Sequence, residues 1–189
     1  MPRHADPALE QRILNAARKL WKRGGEHALT MRAVAKEART TTPTVYERFR
    51  NRRQILQTLC VDTRQKLFAV LQAEMSPREA CEAYLEFAAK HPHEYELISA
   101  GWSKPPSVND QWPSFNLLKE RLALRHGGKP DDYTRFALSV WALLHGTAML
   151  LVVGNTGKDL QLQMRLACIE AIEALATTLE KTNGSRRQL

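Results

Sequence analysis

The stretch TMRAVAKEARTTTPTVYERF, residues 30–49, decides the fold. Thr30 is a cap candidate for a short helix over residues 31–38, because a threonine oxygen can accept a hydrogen bond from the first turn. The threonine run that ends at Pro43 favours the start of a second short helix, which reaches about Phe49. Two short helices joined by a tight turn predict a helix-turn-helix.

Helical patterns cover most of the remaining chain. Leucine and alanine together number 48, against 13 valines and isoleucines, and this balance favours helices over strands. We therefore predict an all-α protein of about nine helices. Asp6 is expected to cap the first helix, and Gly24 and Gly25 to stop it. The other predicted helices span residues 7–23, 51–74, 77–90, 92–100, 114–125, 133–153 and 159–181. A loop is predicted over residues 101–113.

The positive charge is concentrated at the start of the chain. Residues 1–60 contain 13 Lys and Arg and 5 Asp and Glu, whereas residues 61–189 contain 15 of each class. A basic module joined to an electrically balanced one is typical of a protein that binds a polyanion. A solvated basic face without a partner remains the alternative.

Several classes of protein are disfavoured. We expect no apolar run of the roughly 18 to 20 residues that a membrane span needs, and no signal peptide, and hence a cytoplasmic protein. Cys60, Cys81 and Cys168 are widely spaced, which indicates buried reduced thiols rather than disulfides or zinc ligands. His91 and His93 have no carboxylate or cysteine at useful spacing, so we predict no metal site. No cofactor is predicted.

The second short helix is the predicted reader of DNA. Thr41, Thr42 and Thr44 are short enough to let the backbone approach a groove, and their hydroxyls can bind base edges or phosphates. Tyr46 can place its phenol on a phosphate, and Arg48 can reach a guanine edge or a phosphate. Arg52 and Arg53 begin the next helix, where the positive end of the helix dipole favours a phosphate.

Residues 29–38, LTMRAVAKEA, and 42–56, TPTVYERFRNRRQIL, resemble the DNA-binding domain of the tetracycline-repressor (TetR) family. This resemblance covers about residues 9 to 60. It implies that Thr30, Arg32, Tyr46 and Arg52 grip phosphates. It also implies that the residues facing the major groove are Thr41, Thr42, Pro43, Thr44 and Arg48.

Two further features bear on the resemblance. The family usually has a glycine in the turn, where this chain has Arg39. A left-handed conformation at that residue would cost about 1 kcal/mol or more. The pattern WALLHG, residues 141–146, is similar to one found in the WHG-like C-terminal domains of a subset of the family.

The resemblance and the pattern together imply domains and partners. One reader helix spans only a few base pairs, so specific binding to a double-stranded operator requires two readers about 34 Å apart, and hence a homodimer. The last two helices are apolar on more than one face and are the predicted interface. We predict a DNA-binding domain over 1–55, a regulatory domain over 56–182 and a disordered tail over 183–189. A small, largely apolar or aromatic effector is expected to bind among aromatic and neighbouring side chains of the regulatory domain: Phe87, Tyr95, Trp102, Trp112, Phe115, Trp141, His145 and Met149.

Other interpretations stay open for individual residues. Phe49 is best explained as a core aromatic, and Tyr46 has the same alternative. Arg32 and Arg48 are also compatible with solvated surface charges, and His145 with a satisfied buried histidine. An enzyme is disfavoured because no nucleophile elbow, helical zinc motif or phosphate loop is present. A helical adaptor that binds protein rather than DNA is the remaining alternative.

Overall fold

The computed structural model describes residues 7–73, 76–100, 113–154 and 157–186. These residues form nine α-helices and one 3-10 turn, with no strand among them, so the predicted all-α fold is confirmed. The 3-10 turn, Pro130–Tyr133, leads directly into the eighth helix. The helices are α1 Pro7–Ala28, α2 Met31–Glu37, α3 Thr42–Arg48, α4 Arg52–Ala73, α5 Pro77–Lys90, α6 Pro92–Ser99, α7 Pro113–His126, α8 Thr134–Val153 and α9 Lys158–Arg186.

Local signals place the helix ends close to their predicted positions. The backbone of α1 leaves helical geometry at Gly24 and at Gly25, whose φ of 57° favours glycine, and a last turn follows. The Asn51 side chain accepts a hydrogen bond from Gln54 N at the start of α4. The Ser76 side chain and Glu79 form a capping box at the start of α5.

The C-terminal tail differs from its prediction. The structure continues α9 to Arg186, past residue 183 where a disordered tail was expected to begin. Asp6, the predicted first cap, and residues 101–112 of the predicted loop lie outside the described residues.

The described residues fall into two compact units, and the division runs through α4. One unit comprises those of Met1–Arg64 and Glu96–Lys104, and the other those of Gln65–Tyr95 and Pro105–Leu189. The division lies beyond the expected boundary at residue 55, because Ile55, Leu59 and Cys60 of α4 are fully buried in the N-terminal core. That core is completed by α1, α2, α3 and Leu97 of α6.

The C-terminal unit is built around α8, which packs against α5, α7 and α9. Ala137, Val140 and Ala148 of α8 are almost fully buried. The segment Pro130–Val153 is also long and apolar enough to cross a membrane by length and composition, which corrects the expectation that no such run exists. The core helix of a globular protein passes the same test, so this finding is weak evidence for a membrane span.

Candidate nucleic-acid interface and regulatory cavity

The turn between α2 and α3 contains Arg39 in the left-handed conformation, with φ of 52°. The Thr40 N–H donates to Ala35 O (2.9 Å) and the Arg39 N–H to Lys36 O (3.2 Å). This pair of bonds is a Schellman motif, which ends α2 and reverses the chain. The sequence-based concern about Arg39 is therefore confirmed: a non-glycine residue occupies a position where glycine costs less.

The first turn of α3 is held by threonine hydroxyls. Thr41 Oγ1 accepts from Thr44 N (3.3 Å) and lies 2.8 Å from Thr44 Oγ1. Pro43 has no backbone N–H, and this costs nothing in the first turn of a helix, because no carbonyl of the helix is placed to accept a hydrogen bond there. Thr41 and Pro43 are exposed, and Thr42 and Thr44 are partly exposed, so these short side chains leave the start of α3 accessible.

The rest of α3 divides into a buried side and an exposed side. Val45 and Phe49 are buried in the N-terminal core, so Phe49 is a core aromatic as predicted. Tyr46 is 52% exposed. Arg48 is partly exposed, and its Nε is buried without a hydrogen-bond partner. The hydroxyl of Tyr46 and the guanidinium of Arg48 are the two longest polar groups that α3 offers to a partner.

The two predicted phosphate contacts at the start of α2, Thr30 and Arg32, differ in whether they already have a partner within the chain. Thr30 Oγ1 accepts from Ala33 N at 3.1 Å, so the hydroxyl caps α2 and its proton is still available for donation. Arg32 is exposed and forms no ion pair with any described residue.

Arg52, the predicted phosphate contact on α4, is paired within the chain. Its Nη2 donates to Glu26 Oε1 (2.5 Å) and its Nη1 to Glu26 O (3.2 Å). Both side chains keep more than a third of their surface exposed, so the pair is accessible to a phosphate. The sequence analysis missed this pair because its members lie 26 residues apart and meet only after the kink at Gly24 and Gly25.

Other basic side chains of α1 are also neutralised locally. Arg18 pairs with Asp62, and Arg23 pairs with Glu37 at 3.0 Å. By contrast, five basic side chains of the segment 32–53 are exposed and form no ion pair with the residues that the structure describes. They are Arg32, Lys36, Arg39, Arg50 and Arg53. The positive charge left without a counter-ion is thus concentrated in and beside the helix-turn-helix.

The C-terminal unit contains a cavity of about 400 Å³. Its wall is mostly apolar, with side chains from the end of α4 and from α5, α7, α8 and α9. This volume falls within the about 300 to 1,000 Å³ of small-molecule sites. The lining includes Leu71, Tyr84, Phe115, Leu118, Leu122, Phe136, Val140, Trp141, Leu144, Ile172 and the charged Arg78, Arg121, Arg125 and Glu173.

The predicted ligand-binding side chains separate into three groups. Phe115 and Trp141 line the cavity. Phe87, Tyr95, His145 and Met149 lie outside its lining, and the first two are buried in the helix packing. Trp102 and Trp112 lie outside the described residues. Aromatic composition alone did not distinguish a cavity wall from a filled core, and it gave no signal for the charged residues of the lining.

A chain of polar groups runs beside the cavity. The Tyr84 hydroxyl lies 2.8 Å from the Tyr95 hydroxyl, which lies 2.7 Å from His145 Nδ1. Trp141 stacks on the His145 ring. Burial raises the pKa of Tyr84 to about 12, and desolvation lowers the pKa of His145. His145 is thus half-buried and has both a hydrogen-bond partner and a stacking partner.

The three cysteines are buried free thiols, as predicted. Burial raises the pKa of Cys60 to about 11 and that of Cys81 to about 12. Both thiols are therefore protonated at neutral pH and poor nucleophiles. Within the described part of the chain, no three metal-ligating side chains cluster.

One side of α8 is exposed and apolar from Leu138 to Val153, with Arg135 at its N-terminal end. Leu138, Ala142, Gly146, Leu150 and Val153 recur at helical spacing and are all exposed; we call these five residues the α8 apolar face. A Cβ atom at position 146 would have no neighbouring atom within 4 Å, so the space beside Gly146 is open. On α9, Leu160, Leu162, Leu166 and Leu175 are also at least 37% exposed. Exposed apolar surface of this extent indicates an interaction site.

A chain that combines an accessible helix-turn-helix of surplus positive charge with a helical unit that contains a cavity of small-molecule size has the parts of a DNA-binding regulator. Comparison with known proteins agrees. Residues 13–59 match the bacterial regulatory proteins of the tetR family, and residues 78–175 match the tetracyclin repressor-like C-terminal domain. The chain belongs to the TetR family of DNA-binding transcriptional regulators and is not an enzyme.

Solved structures have the same fold. A TetR-like transcriptional regulator from Rhodococcus sp. RHA1 is 20% identical, with a TM-score of 0.60 over 92% of this chain and 96% of that chain. A TetR regulator from Streptomyces coelicolor is 17% identical, with a TM-score of 0.66 over 90% and 97%. A TetR-family regulator from Haemophilus influenzae is 19% identical, with a TM-score of 0.60 over 89% and 98%. Among curated proteins, none matches this chain.

Proposed function

We propose that the protein is a cytoplasmic homodimeric repressor that leaves a palindromic operator when a small, largely apolar or aromatic ligand fills the cavity. The observation that carries the proposal is the accessible helix-turn-helix, whose exposed basic side chains have no counter-ion within the described chain. Such charges are available for phosphates, which supply much of the affinity for DNA.

The residues proposed to contact DNA keep their predicted roles. Thr41, Thr42, Pro43, Thr44 and Arg48 would face the major groove, and Thr30, Arg32 and Tyr46 would bind phosphates. Arg52 would exchange its bond to Glu26 Oε1 for a bond to a phosphate oxygen. This exchange makes Glu26 a competitor of DNA for Arg52.

The proposed dimer uses α8 and α9. The α8 apolar face has small residues, Ala142 and Gly146, at its middle, which lets a second helix approach closely. The exposed leucines of α9 would extend the buried area to that of a four-helix interface. Two reader helices are then held together, as an operator with two half-sites requires.

The proposed ligand site is the cavity. Phe115, Trp141, Tyr84 and Phe136 give it an aromatic wall. The C-terminal part of α4 lines the cavity through Leu71, and the N-terminal part of α4 belongs to the core of the DNA-binding unit. A ligand that prefers one position of α4 would therefore shift the equilibrium between operator-bound and free states.

The test is a fluorescence-anisotropy titration of the purified protein against duplex fragments flanking its own gene, at several salt concentrations. Selective binding should weaken steeply with salt. Arg48→Ala should cost about tenfold or more in affinity, and Tyr46→Phe less. Lys129→Ala, which removes an exposed basic side chain outside the helix-turn-helix and outside α8 and α9, is the control and should bind as the wild type does.

The contrary result is equally clear. Weak binding that is equal on all fragments and indifferent to both substitutions would reject sequence-specific operator recognition. In that case a helical adaptor that binds protein becomes the better explanation.

A further inference from the structure

Arg121 of α7 has an unusual position in the cavity wall. It is partly buried, and its two terminal nitrogens donate to Leu71 O and Gln72 O, each at 3.1 Å. These carbonyls belong to the last turn of α4, where a helix has no N–H groups of its own to offer them. Arg121 therefore joins the cavity wall to the end of α4.

The charge of Arg121 has no counter-ion among the described residues. By contrast, Arg78 at the same cavity pairs with Glu173 (2.5 Å) and with Glu82 (2.9 Å). Among the described residues of the lining, Glu173 supplies the one carboxylate, and it is already engaged by Arg78. A partly buried guanidinium beside apolar side chains gains when an anion reaches it, because burial weakens its hydration.

Arg121 also has donors to spare. A guanidinium carries five N–H donors, and the two bonds to α4 use two of them. The planar fork matches a carboxylate, whose two oxygens accept parallel hydrogen bonds. Most of the remaining lining is apolar or aromatic, with Phe115, Leu118 and Trp141 among its members, and suits the body of an uncharged chain or ring.

We propose that the effector is an amphipathic monocarboxylate, whose carboxylate binds Arg121 while its apolar body fills the cavity. The inference rests on the proposed role of the cavity as the ligand site, and it adds the chemical class of the ligand and the residue that selects it. The bound carboxylate lies beside the end of α4 and competes with Leu71 O and Gln72 O for the same guanidinium. Ligand binding thereby weakens the cap on the helix that both units share.

The experiment compares pairs of probes that differ only in charge: decanoate with decanol, phenylbutyrate with phenylbutanamide, and naphthoate with naphthamide. Isothermal titration calorimetry measures their dissociation constants on the full-length protein. We expect at least one carboxylate to bind about tenfold or more tightly than its neutral partner, because a hydrogen bond to a charged group is worth more than one to a neutral group. High salt should weaken the binding of the carboxylates and so reduce this preference, whereas the binding of the neutral probes should not share this salt dependence.

Arg121→Gln is the decisive variant, because its amide still offers N–H donors to the carbonyls of α4 while the charge is gone. It should bind the carboxylate and its neutral partner within about twofold to threefold of each other. Lys129→Gln removes one positive charge from an exposed site outside the cavity lining and outside the α8 apolar face, and should keep the wild-type preference. If Arg121→Gln fails to fold, the paired probes and the salt series on the wild type still decide the ligand class.

Three results overturn the inference: no carboxylate binds, a neutral probe binds as tightly as its carboxylate, or the preference survives in Arg121→Gln. Operator binding without any probe is measured on the same samples. If one of these three results is obtained while operator binding is intact, the inference is rejected but the proposed DNA-binding function is not. Tight carboxylate binding that does not change operator affinity would instead reject ligand-controlled repression while keeping the ligand class.

Discussion

The two units of the chain use their apolar side chains in different ways. In the N-terminal unit, Ile13, Val34 and Leu59 are fully buried in one closed core. In the C-terminal unit, a cavity of about 400 Å³ lies between the helices, and Leu150 on the α8 apolar face is 59% exposed. The N-terminal unit thus completes its core within one chain, whereas the C-terminal unit leaves apolar surface for other molecules.

The charges show the opposite contrast. Exposed arginines such as Arg32 and Arg53 have no ion pair in the described N-terminal residues. In the C-terminal unit, exposed Arg78 and Lys90 pair with acids on nearby turns. The C-terminal unit also has exposed basic side chains without an ion pair among the described residues, at Lys66, Lys129, Arg135 and Lys158, but they are widely spaced, whereas the segment 32–53 has five. Clustered positive charge suits a polyanion, and exposed apolar surface suits a second chain or an apolar ligand.

The largest expected effect comes from placing a charge on the α8 apolar face. Leu150→Glu should convert the proposed dimer to a monomer and lower operator affinity by about a hundredfold or more, because the two readers are no longer linked. Sedimentation velocity and the anisotropy titration measure the two effects. Leu124→Glu, at a leucine of α7 that is 87% exposed, is the control and should change neither. A dimeric Leu150→Glu protein would place the interface elsewhere.

Truncating a leucine should cost more stability in the core of the N-terminal unit than in the cavity wall of the C-terminal unit. Leu59→Ala removes a fully buried side chain and should lower the free energy of unfolding by about 2 to 5 kcal/mol. Leu118→Ala, in the cavity lining, should cost only about 1 to 2 kcal/mol, because part of its surface already faces empty space. Urea denaturation of the two variants gives both values. Equal losses would mean that the cavity wall is packed as tightly as the N-terminal core.

A smaller effect is expected at the turn of the helix-turn-helix. Arg39→Gly removes the cost of a side chain at φ of 52° and should stabilise the protein by about 1 kcal/mol, partly offset by the greater freedom of glycine in the unfolded chain. Arg39→Asn should gain less, and Arg39→Ala nothing. Thermal denaturation ranks the three variants. If alanine is as stabilising as glycine, the effect belongs to the lost charge and not to the backbone.

Local sequence signals predicted most of the fold. The predicted bounds of α5 agree with Pro77–Lys90, because Pro77 suits a first helical turn and Pro92 lies just beyond the end. The structure adds a capping box of Ser76 and Glu79, which the prediction did not use. The helix-turn-helix was also predicted from local signals: Thr30 and Thr41 cap α2 and α3 in the structure as the sequence indicates.

Contacts between distant parts of the chain were not predicted. Arg121 and Leu71 are 50 residues apart, and nothing local in either segment indicates that they meet. The aromatic side chains illustrate the same limit, since Tyr95 fills the helix packing whereas Phe115 lines the cavity. Both residues are equally suited to a core and to a binding site, and only the packing of whole helices decides between them.

The smallest expected effect concerns pH and the C-terminal unit. Desolvation lowers the pKa of His145, which contacts the Tyr95 hydroxyl and the Trp141 ring. Below the unfolded pKa of about 6.5, the unfolded chain then binds the proton more readily than the folded chain, so stability falls as the pH drops from 7 toward 5. His145→Gln should make this dependence shallower in urea denaturation series, and His27→Gln, at an exposed residue of α1, should leave it unchanged. An identical slope in all three proteins would show that the neutral ring of His145 contributes nothing to the stability of the C-terminal unit.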